Sequence, residues 1–231
     1  MSNQKQNKKQ LHLTFVEMLF ALAIGQVAID VSKLINYQLM SNQTFLAVVP
    51  AYSHLLLAAV VISTSWVGWR SSVYSGSDIK SVFTWDYVEL LIDVILVIMY
   101  FALARAVEVP DSSSVSLCPN ASFEAYAVAI IISTYALWDV VSCRSKPEKL
   151  KKRLWASIIC TIISWCFVWG DIGGSGTVLA VSLADCSLIF LILTFRAMKL
   201  RDLSKHNKKS CALILFMLIL ALIFCIGSIK L

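Results

Sequence analysis

Seven apolar stretches limit what this chain can fold into. They run over about 12–36, 46–69, 84–106, 123–143, 154–171, 177–198 and 210–229, and a helix needs roughly 20 such residues to cross a hydrocarbon core. Phe45 to Trp69 and Ser210 to Ile229 contain no Asp, Glu, Lys or Arg. The third stretch is uninterrupted only from Val94 to Ala104, with Glu89 and Asp93 at one end, where carboxylates reach headgroups or protein. Composition excludes a soluble globule: 58% of residues are hydrophobic, 15% are charged, and the mean hydropathy is +0.77. Soluble domains run nearer about half apolar and about a quarter charged. With 8 Gly and 4 Pro the chain is neither collagen-like nor of low complexity, and its 7 Cys lie mostly in apolar stretches, unlike a disulfide scaffold.

Charge orients the spans. Lys and Arg concentrate in cytoplasmic loops. With the N-terminus inside, seventeen of the 20 basic residues fall in inner segments, leaving Lys33, Arg105 and Lys230 outside. The expectation is an all-α polytopic bundle of seven transmembrane helices, N-terminus cytoplasmic and C-terminus outside. Residues 1–11 form a basic cytoplasmic segment and 12–231 a single transmembrane domain in the cell membrane. Trp66, Trp69, Trp85 and Trp155 mark inner helix ends, and Trp165 and Trp169 an outer one. MSNQKQNKKQ resembles the start of a signal peptide, but the apolar run after it holds Glu17 and Asp30 and is too long, so an uncleaved signal anchor is expected. Cys118 alone lies in an outer loop, and Asn120-Ala121-Ser122 is a formal glycosylation acceptor on that face.

The first two hairpins resemble each other. Phe15-Val16-Glu17-Met18-Leu19 aligns with Tyr87-Val88-Glu89-Leu90-Leu91, and Val61-Ile62-Ser63-Thr64 with Ile131-Ile132-Ser133-Thr134. Both hairpins start inside, as in a parallel repeat. The stretch from Val88 to Val97, with Glu89 and Asp93, resembles the Glu-Leu-Phe-Phe-Asp-Leu-Val-Phe-Val signature of the bacterial low-temperature-requirement A (LtrA-like) membrane proteins. Val16 to Phe20 is similar to a second, degraded copy, and Ser65-Trp66-Val67-Gly68-Trp69 to that family's second helix. The resemblance spans about the first 145 residues. Here the full Glu-x3-Asp form stands in the third helix, whereas the family carries it in the first, and Ala21 stands where the first helix would have its Asp.

Ionisable groups in a bilayer cost free energy and mark either function or helix packing. Glu89 and Asp93 lie one turn apart in span three, Glu17 stands at similar depth in span one, and Asp139 in the inner third of span four. If they converge, these four carboxylates form an ion or proton pathway; otherwise each pairs with a base such as Arg70 or Arg144. Ser157, Thr161 and Ser164 share a face of span five and, with Asp185 of span six, form a candidate polar lining. Asp185 and Arg196 lie three turns apart and are expected to serve separate partners. Spans two and seven, free of these charges, are expected to face lipid.

The basic loop containing Lys146, Lys149, Lys151, Lys152 and Arg153 is the candidate contact for a cytosolic anionic ligand or partner. Anionic lipid and the inner rim already account for the net charge of +6, so no nucleic acid is needed. His12, His54 and His206 show no metal-ligand spacing, Gly170 to Gly176 lacks a phosphate loop's Lys, and no enzyme motif or cofactor site is present. Two function classes remain. One is an oligomeric channel or transporter for cations or protons; a bundle this small has little room for a wide pore of its own, so a pore would lie between subunits. The other is a non-conducting sensor or scaffold, with a signal-gated pore effector, for example in cell defence, joining the two.

Overall fold

The computed structural model describes residues 2–41, 44–73, 85–105, 119–144, 147–174, 176–200 and 208–230. Among these there are seven helices and no strand: α1 (Ser2–Ser41), α2 (Phe45–Val73), α3 (Trp85–Ala104), α4 (Ala121–Ser142), α5 (Pro147–Trp169), α6 (Val178–Leu200) and α7 (Lys208–Lys230). Six are long and apolar enough to cross a membrane, consistent with a multi-pass membrane protein. The apolar part of α5, Arg153–Trp169, is shorter, because the helix begins inside the basic run.

Local chemistry sets several boundaries. Asn120 caps α4, its side chain accepting from the Phe123 amide at 3.1 Å, which satisfies a donor that the first turn leaves open. Pro147 opens α5, where its missing N–H costs nothing. The Gly-rich link between α5 and α6 is a tight turn. Gly173 has φ +73°, and a Cβ there would lie 2.5 Å from the Ala121 Cβ, so both backbone conformation and space require glycine.

Consecutive helices pack as neighbours, and α2 also packs on α3 and α6. Half (50%) of the most apolar window of α2 is buried within the bundle, against 17% for α7. On α7, Leu213, Phe216, Leu222, Ile223 and Ile226 all point outward, as a lipid-facing helix requires. The expectation that α2 also faces lipid does not hold. Phe45 to Trp69 lacks formal charge, yet α2 turns Ser53, His54, Ser65 and Trp69 toward other helices, and buried Ala51 and Ala58 leave room for close packing. Gly68 extends that close approach, since a Cβ there would lie 2.7 Å from Nη1 of Arg196 on α6. Trp66, Trp85, Trp155 and Trp169 are exposed near helix ends, whereas Trp69 is turned inward.

Candidate functional site

The buried polar groups fall into two clusters at opposite ends of the bundle. At the end where α2, α4 and α6 begin, His54, Glu124 and Asp185 converge from those three helices, each fully buried. His54 Nδ1 lies 2.5 Å from Glu124 Oε1. The Glu124 and Asp185 carboxyls adjoin, and Ser53 Oγ donates to Asp185 Oδ2. One donor atom from each of the three lies within 4.8 Å of the others. The imidazole rests against the last turn of α3, at Leu103 and Ala104. His54 Nε2, Glu124 Oε2 and Asp185 Oδ1 are buried with no hydrogen-bond partner of normal geometry. Among the described residues no Lys or Arg pairs with either carboxylate. One imidazole and two carboxyls can pass a proton among themselves or hold a cation.

The second cluster lies toward the other end, Glu124 and Asp139 being separated by about 22 Å along α4 at the helical rise. Lys199 Nζ stands 2.7 Å from Asp139 Oδ2, and Ser157 Oγ donates to the same oxygen at 2.6 Å. Arg196 donates to Ser65 at 2.7 Å and lies 4.2 Å from the ring centroid of Tyr135. The Tyr135 hydroxyl meets that of Tyr100 at 2.5 Å. Arg153, buried near the start of α5, adds its charge to the surroundings of Lys199. Separately, Asp93 accepts from Trp69 Nε1 at 3.2 Å, faces Trp138, and feels the charge of Glu89 one turn earlier.

The carboxylates singled out from the sequence therefore have separate partners. Glu17, part exposed, pairs with Arg70 at 3.1 Å. Asp93 and Glu89 stay together on α3, and Asp139 joins Ser157 from the polar stripe. Ser164 donates to the Thr161 carbonyl at 2.8 Å, while the buried Thr161 hydroxyl has no partner. Asp185 belongs to the other cluster, and Arg196, on the same helix, serves Ser65 and Tyr135. In the later part of α1, Asp30 pairs with Lys33 at 3.7 Å and accepts from Gln26 at 2.8 Å. Of the basic loop, Lys146 and the side chains of Lys149 and Lys152 lie outside the described residues, and Lys151 is exposed.

Sequence reasoning missed His54 and Glu124 as site residues. They stand 70 and 61 residues from the next member of the triad (54, 124 and 185), so no local spacing joins them. The one available signal was an imidazole in a span otherwise free of charge. No protein-family model, curated protein or solved structure matches the chain.

Proposed function

We propose that this chain is a seven-span protein of the cell membrane that passes protons or small cations, as an oligomer, using its intramembrane carboxylates. The observation that carries this reading is the burial of Asp93, Glu124, Asp139 and Asp185 in one helical bundle, distributed toward both of its ends. Carboxylates inside a bilayer face protein, water or ions because lipid cannot solvate them. Within the second cluster, the paired hydroxyls of Tyr100 and Tyr135 supply polar groups that can hand on a proton. The packed interior leaves conduction of a hydrated ion to a path between subunits. The resemblance of the α1–α4 region to LtrA-like membrane proteins accords with a membrane role.

The test is purified protein in liposomes loaded with pH- and cation-sensitive dyes, under voltage and pH gradients. Flux that is lost in Asp93→Asn protein of unchanged assembly supports the reading; no flux under either gradient counts against it.

A second reading rests on Lys199, which pairs with Asp139, and on the buried Arg153 and Arg196, whose like charges act on that lysine. Such an excess of positive charge at the end with the basic loops suits reception of a cytosolic anion. Liposomes silent until an anionic ligand is added would favour this gated form.

A further inference from the structure

We propose that His54, Glu124 and Asp185 bind one divalent transition-metal ion of the zinc class, with Ser53 fixing the Asp185 carboxylate from behind. The ligand set comes from three helices whose packing fixes the donors, rather than from a loop that would have to fold around the ion. All three residues are fully buried. Each contributes a donor atom, and the three atoms lie within 4.8 Å of one another.

Geometry fits the ion. Donors about 2.1 Å from a common tetrahedral centre are about 3.4 Å apart. The His54–Glu124 separation of 2.5 Å would have to widen by about 0.9 Å around such an ion, and the 4.8 Å limit leaves the third donor within reach. Both nitrogens of His54, both carboxyl oxygens of Glu124 and Asp185 Oδ1 are buried without a hydrogen bond of normal geometry, the expected state of donor atoms that no protein group satisfies.

Charge fits as well. When both are ionised, two carboxylates facing a neutral imidazole carry a charge of −2, and among the described residues no Lys or Arg pairs with either. Arg196 and Lys199 lie about 17 and about 21 Å farther along α6 from Asp185. A divalent cation would neutralise the pair outright. The imidazole biases the set toward transition metals over magnesium or calcium, which favour all-oxygen shells. Ser53 also fits: a hydroxyl that donates to a ligating carboxylate orients it and leaves its second oxygen to the metal. Three protein ligands leave a fourth tetrahedral position for water.

Binding is read on the full chain in detergent without any flux, so its failure and the failure of the transport reading are distinguishable. Protein carrying His12→Gln and His206→Gln keeps His54 as the only imidazole of its 3. After equilibrium dialysis against zinc chloride, this background should retain one zinc per chain. Glu124→Gln and Asp185→Asn should each abolish stoichiometric retention, and Ser53→Ala should weaken it about tenfold. X-ray absorption at the zinc edge of the background protein should show one imidazole with oxygen neighbours. No retained zinc, a sulfur-dominated shell, or full binding in the carboxamide variants would each overturn the site. Should those variants fail to fold, the absorption spectrum and Ser53→Ala decide.

Discussion

Asp139 and Lys199 offer a quantitative test of how charge is held inside this bundle. The carboxylate is fully buried, the ammonium is 11% exposed, and they meet at 2.7 Å with Ser157 bonded to the same oxygen. Arg196 and Arg153 add like charge around Lys199. Asp139→Asn keeps the shape and an acceptor for Ser157, so the change removes charge with little change in volume. It leaves buried positive groups without their counter-ion, and breaking a buried pair from one side costs about 3–5 kcal/mol. Lys199 has partial access to the surface, and side-chain hydrogen bonds between membrane helices average only about 0.6 kcal/mol in measured cases; the expected loss is therefore near the lower bound, about 3 kcal/mol. Adding Lys199→Met should restore most of it, because two matched apolar or neutral groups carry no unpaired charge. Equilibrium unfolding in mixed detergent micelles of the four proteins gives the coupling energy directly. If the two single changes simply add, within about 0.5 kcal/mol, the pair is not coupled and the reasoning fails.

Three other outcomes follow from the same geometry. Asp93→Asn, which keeps an acceptor for Trp69, should preserve assembly and thermal stability while removing flux or shifting its pH dependence; unchanged flux would remove Asp93 from any pathway. Gly68→Ala should lower stability by about 1–3 kcal/mol, because the added methyl meets Arg196 Nη1 and pushes it from Ser65; an unchanged melting temperature would show that the α2–α6 contact yields freely. On a background without native cysteines, an impermeant thiol reagent added from outside should label Val178→Cys, at the exposed start of α6, and should spare Lys149→Cys; labelling at 149 would overturn the expected orientation.

The helices were legible because length and hydropathy speak directly about bilayer crossing. Their rotations were not. Amphipathic helices of soluble proteins announce a buried face by their pattern, but a membrane helix is apolar on the lipid side and apolar on most of the protein side. α2 shows the consequence. The absence of Asp, Glu, Lys and Arg pointed it toward lipid, while its single imidazole and two serines, Ser53 and Ser65, face other helices. Asp185 could be recognised as polar from its place in span six, yet its partnership with Glu124 depends on how α4 and α6 turn toward each other. Trp69 stands near the end of α2, where its position suits an interfacial belt, yet it is a donor to Asp93 because that helix end is covered. The Asp30–Lys33 pair, by contrast, is set by spacing on one helix and was readable from the sequence.

The distribution of charge along the bundle follows the helix dipoles as well as the bilayer. Glu124 lies in the first turn of α4, where unpaired amides favour an anion, and Lys199 and Arg70 lie in the last turns of α6 and α2, where carbonyls favour a cation. Because α2, α4 and α6 begin at the same end, the first-turn acid of α4 and the last-turn bases of α2 and α6 follow one common direction. The same placement puts Lys and Arg at the expected cytoplasmic side. Asp139 departs from the scheme, lying in the last turn of α4, where a carboxylate meets the unfavourable end of the dipole. It is also the carboxylate that takes Lys199 as a direct partner and Ser157 as a donor. Glu124, favoured by its dipole, has no lysine or arginine partner among the described residues. In one cluster the carboxylate is therefore matched by a lysine of the protein, and in the other the carboxylates stay open to a proton or a metal ion from outside the chain.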